Sequence, residues 1–251
     1  MSRTHPDDAG DGAAADSRRE TLRTALVDVR ARIDAAARAV GRDPDEVGLL
    51  AVTKTWPASD VALLVDLGLA EFGENKEQEG AAKAEELAAL RPDAAARWRI
   101  VGRLQRNKAR SLARWAHAVD SVDSPRLVDA LDRAAGAALD AGERSGPLHV
   151  LVQVSLDGAE GRGGVVVDEV EALAERVERS TQLSLDGVMT VAPRDADPAE
   201  AFGTFAAVAE RVRAAFPHAR TVSAGMSGDL EAAIEHGSTC VRVGTALLGT
   251  R

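Results

Sequence analysis

A chain of 251 residues, 45% of them hydrophobic, can bury a sizeable core, as one large domain or two small ones. Its formal net charge of -9 and pI near 5.1 argue against the basic face of a nucleic-acid partner, and no apolar stretch approaches the ~20 residues of a membrane span. A single cysteine, Cys240, excludes an intrachain disulfide framework, and no Cys/His cluster has metal-ligand spacing, so a cytoplasmic protein is the expectation.

Met1 to Asp16 is rich in Asp, Gly and Ala and lacks the apolar segment of a secretory signal, which predicts a disordered tail over residues 1–16. Ser17–Val40 has helical spacing, with Leu22, Leu26, Val29 and Ile33 on one stripe and Gly41 as its stop. From there the chain alternates. Short apolar runs occur at Val47–Lys54, Ala70–Gly73, Trp98–Gly102, Ala116–Ser121, Leu148–Val154, Leu183–Met189, Arg220–Ala224 and Thr239–Val243. Helical segments rich in Ala, Leu, Glu and Arg separate them, at Ser59–Leu67, Lys76–Leu90, Arg106–Arg114, Pro125–Ala141, Asp168–Ser180, Pro198–Phe216 and Ser227–His236. Eight strands interleaved with helices predict a parallel α/β protein, and eight is the number that closes a (β/α)8 TIM barrel. No Gly-x-Gly-x-x-Gly follows an early strand, which argues against a dinucleotide-binding open sheet. A single barrel over residues 17–251, with an extra N-terminal helix, is the expected architecture. Four Phe, three Trp and no Tyr leave much of the packing to Ala and Val.

Lys54 stands at the end of the run Leu49-Leu50-Ala51-Val52-Thr53 and precedes Thr55-Trp56-Pro57. A lysine at a buried strand end is desolvated, which favours the neutral amine, and such amines form Schiff bases with aldehydes and ketones. A lone lysine there more often snorkels into solvent. The other end of the chain changes that balance. If the barrel closes, the eighth strand lies beside the first. Leu50, Val52 and Lys54 share one face, as do Cys240 and Arg242, so Lys54 and Arg242 meet at the C-terminal mouth. The loops after the seventh and eighth strands, Gly225-Met226-Ser227-Gly228-Asp229 and Gly244-Thr245-Ala246, are where barrels often bind phosphate. Ser227 can cap the following helix or offer its hydroxyl and nearby amides to an anion. Gly244 admits close backbone approach, and Thr245 adds a hydroxyl. Turns use these residue types everywhere, so either loop alone is weak. Together with a lysine on the adjacent strand, they describe a pocket suited to pyridoxal 5'-phosphate.

Four segments carry a resemblance: Leu49 to Thr55; Phe72-Gly73-Glu74-Asn75; Trp98 to Lys108; and Gly225 to Asp229 running on through Glu231–Ile234 and Gly237–Thr245. On them the chain resembles the pyridoxal phosphate homeostasis proteins, which look like the barrel domain of alanine racemase standing alone. The similarity spans about residues 17 to 250, from the first strand to the eighth. It implies that Lys54 carries the imine and that Arg242 faces the pyridine nitrogen. It further implies that Ser227, Gly244 and Thr245 hold the phosphate while Asn75 lines the pocket. A monomer that buffers vitamin B6 and hands the cofactor transiently to apo-enzymes is the implied function. The chain departs from the family pattern in three places. Arg99 replaces the usual His after the Trp, Lys76 stands where an aromatic is frequent, and Gly161-Arg162-Gly163-Gly164 lacks a common lysine.

Arginine only donates hydrogen bonds, so Arg242 favours an unprotonated pyridine and weakens the electron sink that aminotransferases and decarboxylases need. A racemase tolerates arginine there but needs acid/base groups on both faces of the substrate carbon. Related racemases take a tyrosine from a second domain. This chain ends just past the eighth strand and has no tyrosine. Binding and delivery without robust turnover is therefore the leading expectation. An amino-acid racemase or another weak pyridoxal phosphate-dependent enzyme using Lys54 as base is the alternative, and a Schiff-base aldolase acting on a sugar phosphate is a third reading, disfavoured by the first-strand lysine.

The remaining chemistry-bearing residues read as structural. Cys240 is expected as a small core residue, His117 as a polar strand end in preference to a base, and His149, His218 and His236 as surface or loop positions. Glu74 reads as a pocket acid or as part of a helix start. Arg103, Arg106, Lys108 and Arg110 form a solvated helix start that could also steer anionic ligands.

Overall fold

The computed structural model describes residues 8–159 and 163–250, with side chains from residue 15 onward. Its centre is a closed barrel. Strands β1 (Gly48–Val52), β2 (Glu71–Glu74), β3 (Arg97–Ile100), β4 (Ala118–Val122), β5 (Leu148–Ser155), β7 (Leu183–Thr190), β8 (Thr221–Ser223) and β9 (Cys240–Val243) are joined in that order. The β9–β1 and β4–β5 pairings complete the ring, and every pairing is parallel. All eight expected strands are present, so the eighth strand of the sequence reading is β9. The additional strand is β6 (Val165–Val166), which pairs with the mouth end of β5 at Val154 and Ser155. Two residues are too few to announce a strand by periodicity.

The crossovers are helices, as parallel strands require: α2 (Ala58–Asp66), α3 (Glu77–Leu90), α4 (Ala109–Leu112), α5 (Pro125–Asp140), α6 (Val170–Glu178), α7 (Pro198–Ala215) and α8 (Leu230–Glu235). A short α9 (Thr245–Leu248) follows β9. Long α5 and α7 both start on proline, whose missing N–H costs nothing in a first turn. Asp197 adds a side-chain cap on the amides of Ala199 and Glu200.

The N-terminal helix α1 spans Asp8–Ala39 and so begins nine residues ahead of the Ser17 start read from the sequence. Residues 1–7 of the expected tail lie outside the described residues, as do Gly161 and Arg162 of the glycine-rich loop. The stripe Leu22, Leu26, Val29, Ile33 and Ala37 is buried against Val241, Val243, Leu230, Ile234 and Leu247. α1 therefore covers the seam where the last strand meets the first. Burial of each of the four larger side chains, Leu22, Leu26, Val29 and Ile33, contributes about 1.5–3 kcal/mol. Among the described residues, no helix is long and apolar enough to cross a membrane.

Apolar residues of the strands face the helices, and the barrel interior is partly polar. Arg99 of β3 and Asp120 of β4 are both buried and make contacts of 2.8 to 3.1 Å. Burial opposes the charge on Arg99, but Asp120, Cys240 and Glu71 together hold its pKa above the ordinary value. The departure at position 99 is thus a buried ion pair built into the barrel.

Candidate functional site

Parallel strands bring all their C-terminal ends to one mouth, where the chain turns into loops. There the protein holds a cavity of about 1190 Å³. Lys54, Asn75, Ser227, Arg242, Gly244 and Thr245, the six residues singled out in the sequence, all line it. They come from four loops or strand ends, and ring closure through β9–β1 brings the first and last of them together.

Lys54 does not sit at a buried strand end. β1 stops at Val52, and Trp56 N–H bonds Thr53 C=O at 3.0 Å, closing a turn whose second residue is Lys54. The lysine is exposed at the mouth. The expected desolvation is absent because this turn, ahead of Pro57, lifts the side chain out of the sheet. Thr55, the next residue, has φ +69°, a left-handed conformation that a β-branched side chain adopts only under constraint. Arg18 of α1 braces the turn from outside. Its guanidinium lies 4.6 Å from the Trp56 ring centroid, 2.7 Å from Asp60 of α2, and 3.1 Å from the Leu248 carbonyl at the end of α9.

Arg242 forms part of the floor and is 4% exposed. It donates to Ser223 Oγ at 2.7 Å and to the Thr190 carbonyl at 2.6 Å, which leaves further N–H groups of its five-donor fork for a ligand. Burial lowers its pKa from the ordinary value, with Cys240, Asp120 and Asp229 opposing, yet a guanidinium remains protonated at neutral pH.

The two anion-facing loops are tied to each other. Ser227 Oγ accepts from Ala246 N–H at 3.1 Å. The hydroxyl therefore joins the β8 and β9 loops and does not cap α8, whose N-cap position is held by Asp229, with its carboxylate turned back to accept from Met226 N–H at 2.6 Å. Arg32 of α1 fixes the Ser227 carbonyl at 3.0 Å and pairs with Glu231. A side chain at Gly225, with φ +88°, would meet Ala233 Cβ at 2.6 Å, so the loop packs onto α8 only as glycine. These hydroxyls and close backbone suit a phosphate, and the Lys54 amine and the spare Arg242 donors line the same cavity. The donor set fits pyridoxal phosphate.

Other expectations fare differently. Glu74 is neither a pocket acid nor a helix start: it ends β2, is wholly buried, and pairs with Lys83 of α3 at 2.6 Å. His149 is not a loop residue but lies in β5, stacked on His117 at 4.6 Å and bonded to Asp186 at 2.9 Å. Cys240 is a β9 residue whose thiol is pushed up by burial, in keeping with an inert role. Arg103, Arg106, Lys108 and Arg110 stand beside the mouth without forming its wall. The sequence did not reveal the far wall, where Gln153, Ser155, Arg194, Glu200 and Thr204 line the same cavity. Gln153 and Ser155 end β5, Arg194 lies in the loop after β7, and Glu200 and Thr204 belong to the start of α7, with no motif among them, and only closure of the ring assigns them to the site.

Comparison with known proteins gives a consistent answer. The family profile "Alanine racemase, N-terminal domain" matches residues 26–251. The "Pyridoxal phosphate homeostasis protein" of Mycobacterium tuberculosis is 52% identical over 252 residues, covering 97% of this chain and 98% of that protein. The protein of the same name from Escherichia coli is 37% identical over 232 residues, covering 90% and 95%. The structure of PipY from Synechococcus elongatus with PLP bound superposes with a TM-score of 0.76 at 30% identity, covering 91% of this chain and 100% of that one. On these matches, with the alanine racemase-type barrel closed around one mouth, the chain belongs to the family of pyridoxal phosphate homeostasis proteins.

Proposed function

We propose that this chain binds pyridoxal 5'-phosphate at the barrel mouth, holds it as a Schiff base on Lys54, and buffers or delivers it in the cytoplasm without robust catalytic turnover. The observation that carries the reading is the convergence of Lys54, Asn75, Ser227, Arg242, Gly244 and Thr245 on one cavity. The PLP-bound PipY structure, whose whole length this chain spans, supports the choice of ligand. In this reading Ser227, Gly244 and Thr245 hold the phosphate, Arg242 donates toward the pyridine nitrogen, and Asn75 closes the pocket side. The bound cofactor supplies an aldehyde for reversible amine capture, and Arg242, a donor only, disfavours the protonated ring that strong electron-sink chemistry requires. The absence of tyrosine from the chain removes the acid that racemases pair with their lysine. The sugar-phosphate aldolase alternative has no support among these relatives.

Borohydride reduction after loading with pyridoxal phosphate, followed by peptide mapping, tests the assignment. The expected result is a phosphopyridoxyl group on the Lys54 peptide, with the cofactor of unreduced protein passing to an added apo-enzyme. Label on another lysine would overturn the site. Sustained inversion of an amino acid by the loaded protein would favour the racemase alternative. The protein is expected to act as a monomer that meets recipient enzymes transiently.

A further inference from the structure

The turn that carries Lys54 is held on both sides by charged groups outside the cavity, buried on the Thr53 side and half-buried on the Thr55 side. Thr53, Glu74 and Lys83 are 0%, 0% and 5% exposed. Lys83 Nζ, from α3, donates to the Thr53 carbonyl at 2.8 Å and to Glu74 Oε1 at 2.6 Å. Thr53 Oγ1 donates to the same carboxylate oxygen at 2.6 Å. One helical turn before Lys83, Glu79 lies 3.5 Å from its ammonium and accepts the Thr55 N–H. The residues immediately before and after Lys54 are thus pinned by groups that share one ammonium ion.

Stability alone does not account for this arrangement. Burying an ammonium with carboxylates gains little over an apolar filling of the same volume. Glu74 Oε2 is buried with no hydrogen-bond partner among the described residues. Burial raises the Glu74 carboxyl above its usual range, with Lys83 and Thr53 acting against the shift. What the network secures is geometry. Thr55 is held at φ +69°, which its β-branched side chain resists, and the Glu79 contact to its N–H opposes relaxation. Lys83 itself is a poor nucleophile for the cofactor: its donors are engaged, and it forms no part of the cavity wall.

We propose that Lys83, with Glu74 and Glu79, is a positioning residue that holds the Thr53–Thr55 backbone turn, centred on Lys54, in the strained form that aims the Lys54 amine at the cofactor aldehyde. The inference rests on the reading of Lys54 as the cofactor lysine. In that condensation the neutral Lys54 nitrogen adds to the aldehyde carbon, a C=N bond forms, and the carbonyl oxygen leaves as water. Only this step depends on where the amine points. Capture of the phosphate and ring by Ser227, Thr245 and Arg242 does not.

The two contributions separate with two ligands. Pyridoxal 5'-phosphate can condense with Lys54, whereas pyridoxine 5'-phosphate has an alcohol in place of the aldehyde and can only fill the pocket. In the full chain, Lys83→Met should weaken pyridoxal phosphate by about tenfold to a hundredfold, the scale of a small misplacement of a reacting group. Affinity for pyridoxine phosphate should stay at the parent value. Equal loss for both ligands would show a merely structural role and overturn the proposal, as would no loss for either. Should Lys83→Met not fold, Glu79→Gln replaces it. That change is isosteric on a half-buried side chain, weakens the hold on the Thr55 N–H, and should give the same selective loss in smaller degree. Lys54→Ala measured alongside isolates the premise: if the parent shows no preference for the aldehyde over Lys54→Ala, the cofactor-lysine reading itself fails.

Discussion

Gly102 offers a direct test of how tightly the mouth is assembled. It follows β3, and a Cβ placed on it would lie 2.5 Å from the Asn75 carbonyl oxygen, 2.8 Å from its Cα and 3.0 Å from its carbonyl carbon. All three are backbone atoms, so no side-chain rotation relieves the clash. The Gly102→Ala change must push the loop after β2 away by about 0.9 Å to restore an ordinary contact of 3.4 Å. Overpacking of this kind costs about 1–3 kcal/mol. In a chain of this size each kcal/mol lowers Tm by roughly 2–4 °C, so a fall of roughly 2–12 °C is expected. Asn75 and Gly102 both line the cavity, so affinity for pyridoxal phosphate should fall with it. Thermal melting by circular dichroism and a cofactor titration measure the two effects. Gly146→Ala is the control, because a Cβ there meets nothing within 4 Å. If Gly102→Ala matched the parent and Gly146→Ala in both measurements, the close approach of the two loops would be wrong.

The barrel interior and its lower end yield two more expectations. Asp120→Ala leaves the Arg99 guanidinium buried without its main partner and should cost about 3–5 kcal/mol in urea unfolding, whereas the double change Arg99→Met, Asp120→Leu should cost clearly less; a double variant at least as damaged as the single would refute this. His117 has its pKa lowered by burial and then by His149, with Glu71 opposing and Arg99 and Arg97 adding to the lowering, while Asp186 engages His149 from β7. The unfolded chain therefore binds more protons than the folded one below the ordinary histidine pKa, and stability present above about pH 6.5 is lost as pH falls through the lowered folded value. His117→Phe keeps a ring for the stack and removes the proton site. Its Tm should fall less between pH 7 and pH 5 than that of the parent, and an unchanged slope would count against the burial argument.

Much of this molecule is legible in one dimension. The alternation from Val47 to Val243 marks eight strands because each is a short apolar run bounded by helical spacing, and eight strands imply ring closure. Closure in turn brings Lys54 and Arg242 to one cavity, although they are far apart in sequence. What stays hidden depends on local turns and on pairs with no period. The run Leu49 to Thr53 suggests a buried lysine, but the Thr53–Trp56 turn places Lys54 in solvent. Nothing in the spacing of Thr53, Glu74 and Lys83 signals a shared network, since α3 must first pack beside the β1 turn. Arg99 reads as a departure from a family pattern until β4 brings Asp120 against it. The early start of α1 is masked by a segment rich in both Ala, which favours helix, and Gly and Asp, which do not.

The measurement closest to the central claim is the absorbance spectrum of the purified chain titrated with pyridoxal 5'-phosphate, recorded beside Lys54→Ala prepared identically. The account predicts a saturable imine band in the parent that is missing from the variant. An identical band in both proteins, or none in the parent at saturating cofactor, would contradict it.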